Sequence, residues 1–345
     1  MRRQFLRGFT VLAAAAALLG SVSITAAKSA AEYYQGKNIR FIVPYKPGGG
    51  YDAYARLLAP YFGKYTGARV DIYNLPGAGG MKGANEIFNA PADGLTIGII
   101  NGSAMVTNEL AGIKGAAYKV ADYNFLGRVV ADQRVLTVLA KSDLKTYEDV
   151  LNSDRPVLLG ATGLGGSTYV DAVIVGRVMG SNQKVIHGFN SSSDVRQALL
   201  RGDINAMWGS WGSARKGVAA GDFRIIVHDA REGTPDTQGI PSVFDFVSKL
   251  DDPEKADEIL SSWYALSAVG RPVAAPPGLP AERVAFLQEA FTQAINDPEF
   301  VETAKNSNRE INFLDGVSMS ALAKASTNLT PEIKALFISA IQGEL

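Results

Sequence analysis

The chain has 345 residues, with 34 Lys and Arg against 34 Asp and Glu, two His and no Cys. At 47% apolar and 20% charged it is not a disordered chain, and it lacks the basic excess that nucleic-acid binding requires. Without cysteine it has no disulfide, thiol nucleophile or Cys-ligated metal, and its length suits two domains of roughly 150 residues each.

The N-terminus reads as a secretory signal over residues 1–27. Arg2, Arg3 and Arg7 precede the apolar run Val11–Leu19, and small residues follow to Ala27. That run is too short to span a bilayer, which takes about 20 apolar residues. Cleavage is expected after Ala27, with Ala30 and Ala31 as alternatives, leaving a net charge of −3. Arg2-Arg3-Gln4-Phe5-Leu6-Arg7 also resembles a twin-arginine export signal, and the general and twin-arginine routes both stay open.

The mature chain alternates strand and helix. Ile39–Val43 is a β-type run, Tyr45–Gly50 a loop, and Tyr51, Tyr54, Ala55, Leu58 and Phe62 recur at helical spacing up to Gly67. Val70–Tyr73 is a second strand, Pro76–Gly80 a second glycine loop, Lys82–Ala90 a helix and Leu95–Ile100 a third strand. Phe125–Val130 and Val135–Ala140 read as strands around the short connection Ala131–Arg134, and then the opening pattern restarts. Val157–Ala161 is a strand, Thr162–Ser167 a glycine loop and Thr168–Met179 a helix. Val185–Ile186, Ile204–Trp208 and Phe223–Val227 continue as strands around a helix at Asp194–Leu200. Trp263–Val269 reads as a further strand, Arg271–Pro280 as extended, and the tail from Ala281 as helical, including Leu322–Ile341. Such spacing predicts an α/β protein of two lobes, each a mostly parallel sheet flanked by helices.

A glycine loop between a parallel strand and a helix lies at the carboxyl edge of the sheet, where α/β proteins bind ligands. The helix start offers free N–H groups and a partial positive charge, so two such loops, one per lobe, can hold a carboxylate or phosphate between them. Gly48, Gly50 and Ala53 also satisfy the dinucleotide pattern G-x-G-x-x-A, with Asp71 further on. Pro44 and Pro47 lengthen a turn that this pattern needs tight, so an exported dinucleotide-dependent oxidoreductase stands as the alternative reading. There is no G-x-S-x-G elbow and no P-loop, and His187 and His228 have no metal-ligand spacing. Asp52 is placed to favour the helix start or to order the loop around a ligand.

The run Ile42-Val43-Pro44-Tyr45-Lys46-Pro47-Gly48-Gly49-Gly50-Tyr51-Asp52 with Ala55-Arg56, then Asn74-Leu75-Pro76-Gly77-Ala78-Gly79-Gly80, then Ala92-Asp93-Gly94-Leu95-Thr96, resembles the solute receptors of tripartite tricarboxylate transporters, the Bug family. Gly239-Ile240-Pro241-Ser242, Trp263-Tyr264-Ala265-Leu266 and Pro276–Pro280 extend the resemblance over nearly all of the mature chain. It implies a type II periplasmic binding fold with crossings near Phe125 and Ser262. One lobe would then hold residues 32–125 and 262–345, the other 126–261.

The resemblance further implies a carboxylate held by Tyr45, Gly48, Gly49, Gly50, Tyr51 and Asp52 of one loop and Thr162, Gly165, Gly166, Ser167 and Thr168 of the other. Asn101–Ser103 and the turn His187–Asn190 would also face the cleft, with Ser103 and Asn190 as candidate contacts. Where the family commonly has an aromatic, then Asp and Asn, this chain has Trp208-Gly209-Ser210-Trp211. The acid that meets a ligand ammonium is therefore missing. Trp208 and Trp211 would form a flat wall beside Ser210 or else pack in the core. The expected protein is periplasmic and monomeric, needs no cofactor and does no chemistry. Its partners are a small organic carboxylate and the membrane subunits of a transporter, with a sensor kinase as the other candidate recipient.

Overall fold

The computed structural model describes residues 29–342, so the signal expected at 1–27 lies outside the described residues. The first lobe opens with α1 (Ala30–Tyr34), β1 (Asn38–Val43), α2 (Gly50–Thr66), β2 (Arg69–Asn74), α3 (Met81–Phe88), β3 (Thr96–Ile99), α4 (Gly102–Leu110) and β4 (Asn124–Arg128). The second lobe holds β5 (Arg134–Leu139), α5 (Tyr147–Leu151), β6 (Val157–Thr162), α6 (Ser167–Met179), β7 (Gln183–Phe189), α7 (Ser192–Arg201), β8 (Ala206–Ser210), α8 (Trp211–Ala219) and β9 (Phe223–His228). The chain returns through α9 (Pro253–Ser267) to β10 (Pro272–Ala275), α10 (Ala281–Asn296), α11 (Pro298–Asn306), β11 (Leu314–Asp315), α12 (Gly316–Ser326) and α13 (Pro331–Gln342).

Two sheets result, ordered β11-β4-β10-β3-β1-β2 and β7-β6-β8-β5-β9. Strands β1, β2 and β3 run parallel, as do β6, β7 and β8. The sheets are mixed because of the strands that enter from the other lobe. Strand β5 is antiparallel to both β8 and β9, and β10 to both β3 and β4. The direction has a consequence for the site. Parallel strands end at the cleft, so a strand running against them begins there, and Arg134 and Arg271 are carried to the cleft edge at the starts of β5 and β10.

Helix α2 forms as its spacing predicts. It buries Tyr51, Tyr54, Ala55, Leu58 and Phe62 and stops at Gly67, whose left-handed backbone returns its N–H to Gly63. The strand expected at Trp263–Val269 is instead the end of α9. Asp252 caps that helix, Pro253 opens it, and Ala256, Leu260, Trp263 and Leu266 are buried at helical spacing. The long tail helix is two helices, α12 and α13, parted before Pro331.

One apolar core lies under α2, α10 and α11 in the first lobe, with Phe41, Phe62, Phe291 and Phe300 fully buried. A second runs through both lobes, joining Met105 of α4, Ile174 of α6, Leu260 of α9 and Phe337 of α13. These helices tie the two lobes along one side.

Candidate functional site

Between the lobes lies a cavity of about 30 Å³. Tyr45, Gly49, Gly50 and Tyr51 line it from the first lobe, and Thr162, Ser167, Thr168, Ser192, Gly209 and Ser210 from the second. Arg134 and Arg271 complete it from the crossing strands, and no carboxylate side chain is among the lining groups.

Four helices begin at this cavity. Gly49 is the N-cap of α2, Gly166 of α6 and Ser210 of α8, and none of the three makes a side-chain cap; the first amides of α2 and α6 keep their N–H groups, whereas the Trp211 amide that opens α8 donates to the Gln133 carbonyl at 2.9 Å. Ser191 caps α7, and Ser192 starts it. The helix dipoles add partial positive charge to this amide cluster. The hydroxyls are arranged among themselves: Thr168 Oγ1 accepts from the Thr162 amide at 2.9 Å and pairs with Thr162 Oγ1 at 2.9 Å.

The first loop is ordered by Asp52, which accepts from the Gly48 amide at 3.0 Å, Asn74 Nδ2 at 2.9 Å and Arg56 Nε at 2.9 Å. Burial works to raise its pKa, but these donors outweigh it and hold the carboxyl below its ordinary value. Tyr45 braces Asn101, which reaches the second lobe. Its hydroxyl donates to the Gly79 carbonyl at 2.7 Å and accepts from Asn101 Nδ2 at 2.7 Å, and Asn101 also donates to Ser167 Oγ at 3.1 Å. Burial pushes the Tyr45 phenol up to about 12.

The two arginines are the groups that sequence reasoning missed. Arg134 is clamped by Asp171, its Nε donating at 2.8 Å and its Nη2 to the same oxygen, while Trp263 Nε1 donates to the other oxygen at 2.9 Å. Arg271 Nε donates to Asp132 Oδ1 at 2.9 Å and Nη2 to Ser210 Oγ at 2.7 Å. Its guanidinium lies 4.6 Å from the Tyr51 ring centre and 5.0 Å from that of Tyr54. Burial opposes both charges, but Asp171 and Asp132 at Arg134, and Asp132, Tyr51 and Tyr54 at Arg271, raise both pKa values above the usual arginine value. The signal available in the sequence was an arginine at the start of each crossing strand.

Other expected site residues fall elsewhere. Trp208 is 1% exposed and meets Trp263 edge-on at 5.5 Å, and Trp211 packs with Val135 and Ile225 while its Nε1 donates to Asp236 at 3.1 Å. Both tryptophans are core, and the flat wall is not formed; aromatic contact at the cavity comes from Tyr45 and Tyr51, 4.8 Å apart. His187–Phe189 is the end of β7 and not a turn. Asn190 is exposed, and only its carbonyl reaches the other lobe, accepting from the Lys46 amide at 3.3 Å. Ser103 lies beside a smaller neighbouring cavity under Arg134. Gly48 and Gly165 hold left-handed conformations that shape their loops and do not line the cavity. Asp71, the acid of the dinucleotide pattern, sits on β2 in an ion pair with Arg69 at 2.8 Å.

Two α/β lobes joined by crossing strands, with a cavity between them at the strand ends, define the fold of a periplasmic binding protein. The structure of the periplasmic binding protein BugD has the same fold, with a TM-score of 0.74 at 20% identity over 89% of this chain and 98% of that one. MatC of Rhodopseudomonas palustris, solved with bound malate, gives 0.69 at 19% identity over 88% and 99%. Residues 54–333 match the tripartite tricarboxylate transporter family receptor, and the chain belongs to that family. A UPF0065 protein from the tcbD-tcbE intergenic region of Pseudomonas sp. (strain P51) is 27% identical over 280 residues, 79% of this chain and 78% of its own. The resemblance carried by the two glycine motifs is thereby borne out.

Proposed function

We propose that this chain is an extracytoplasmic receptor that closes its two lobes on a small organic carboxylate and delivers it to the membrane subunits of a tripartite tricarboxylate-type transporter. One observation carries the reading: four helix N-termini and two buried guanidinium groups converge on one inter-lobe cavity whose lining holds no acid. That is a site for an anion and not for a cation or an ammonium group. The amides of Gly49, Gly50 and Ser167 grip the carboxylate, and Thr168 and Ser192 add hydroxyls. A cavity of about 30 Å³ has room for a water or two, so a four-carbon acid enters only as the lobes part. The malate bound to the related MatC is of this class. Residues 1–27 direct export and are removed, and the mature receptor acts as a monomer without chemistry of its own.

The test is a thermal-shift screen of residues 28–345 against organic acids, their amides, amino acids and NAD(P). At a hundredfold excess over Kd a ligand adds about 2.7 kcal/mol of stability. A shift with one or more carboxylates is expected. A shift with NAD(P) alone overturns the reading in favour of a dinucleotide site.

A further inference from the structure

Arg271 is 3% exposed, yet its Nη1 has no hydrogen-bond partner among the described residues. Nε and Nη2 are spent on Asp132 and Ser210, which leaves both Nη1 protons free. The free nitrogen is not pointing at random. A Cβ built on Gly50 would stand 2.5 Å from it, so Nη1 sits directly over the first residue of α2 and lines the same cavity. A buried N–H donor left unmade is costly, and here it lies beside the uncapped amides of a 17-residue helix. Tyr51 and Tyr54 stack on the guanidinium and stop it from swinging away.

We propose that Arg271 is the charge-reading residue of the cleft, its Nη1 donating to a ligand carboxylate seated on the N-terminus of α2. This rests on the receptor reading above and deepens it. Backbone amides alone donate to any oxygen acceptor, an amide carbonyl included. A fixed guanidinium adds a charge-assisted bond that a neutral isostere does not make. Two more arginines stand behind it. Arg309 reaches across to the Gly212 carbonyl at 3.0 Å and lies 5.6 Å from the Tyr54 ring, and Arg196 of α7 is close enough to Arg309 and Arg271 to feel both as like charges. Neither is in an ion pair among the described residues, so the anion that enters also relieves their mutual repulsion.

Removing Arg271 alone leaves Asp132 buried with only the 3.8 Å ion pair to Arg134, so the informative variant is the double replacement Asp132→Asn with Arg271→Met. Calorimetric titration compares it with the wild type, Arg271→Lys and Asp132→Asn, using linear C3–C8 mono- and dicarboxylates and their amides. The wild type is expected to bind at least one acid far more tightly than its amide. The double variant should lose the acid by about tenfold or more, as for a hydrogen bond to a charged group, with the amide little changed. Lysine at 271 should recover part of the preference, and Asp132→Asn should bind the acid at least as tightly as the wild type. If the double variant keeps the acid at wild-type affinity, or loses acid and amide equally, Arg271 does not read charge. A wild type that binds no carboxylate defeats the receptor reading itself, and the inference falls with it.

Discussion

Gly50 shows what a single residue contributes at this site. Its missing side chain is the space that Arg271 Nη1 and Ser213 Oγ occupy, each 2.5 Å from where a Cβ would be. Both neighbours are side-chain tips, but Arg271 is pinned by Asp132, Ser210 and Tyr51 and cannot yield. Gly50→Ala should therefore weaken carboxylate binding about 100-fold, equivalent to about 2.7 kcal/mol, and the strain of the clash should lower the melting temperature of the free protein as well. Equal affinity by titration would show that the space over α2 is not used. The glycine itself was legible in the sequence, because a strand, a glycine run and a helical period mark such a loop without any tertiary information. Arg271 was not legible. An arginine in a chain with 20% charged residues reads as surface, and only the reversed direction of β10 brings it to the cleft and buries it. The tryptophans failed in the opposite way: two indoles near a predicted strand end suggested a ligand wall, but the second one buries its ring against Val135 and Ile225 and turns its N–H to Asp236.

At the scale of elements, helical and strand periods overlap where apolar residues are dense. Trp263-Tyr264-Ala265-Leu266 reads as a strand in isolation, and becomes a helix only when the cap at Asp252 and Pro253, ten residues upstream, is taken with the buried positions at Ala256 and Leu260. Helix α11 has a cap of another kind. Asp297 accepts from the Glu299 and Phe300 amides at 2.9 and 3.4 Å and also from Lys64 Nζ at 2.7 Å and the Tyr65 hydroxyl at 2.8 Å, so it fastens α11 to α2. The Lys64 bond first, then the Tyr65 bond, hold its pKa down to about 2. An unfolded aspartate titrates at about 3.9. A carboxylate depressed in the folded state adds stability that is present above the unfolded value and is lost as the pH falls through the folded one. Asp297→Asn should therefore melt a few degrees lower than the wild type at pH 7, with the difference shrinking from pH 4 down to pH 2. Thermal denaturation across that range checks it, and a difference that stays constant with pH would assign the effect to capping geometry alone.

The whole molecule is organised by contact between its lobes, and this contact uses the second glycine loop of the first lobe in a way its sequence did not disclose. Gly79 of that loop is pressed against Gly163 and Gly166 of the opposite lobe, and Asn101 reaches across to Ser167. A Cβ on Gly163 would stand 2.5 Å from the Gly79 amide nitrogen and 3.2 Å from the Ala78 carbonyl carbon, both backbone atoms that have no rotamer to move aside. Gly163 is not in the left-handed region, so alanine is accommodated within its own lobe and the clash exists only when the lobes meet. Gly163→Ala is thus a variant that leaves each lobe folded and obstructs their approach, while α4, α6, α9 and α13 keep them joined along the other side. Small-angle X-ray scattering should show the wild type contracting when saturated with its carboxylate and the variant holding its unliganded radius of gyration, with affinity lower by about tenfold, or about 1.4 kcal/mol. If the variant contracts as far as the wild type and binds as tightly, the Gly79–Gly163 contact is not part of closure. Closure would then be driven by the amide cluster at the cavity and by the Asn101–Ser167 bond, without help from that backbone contact.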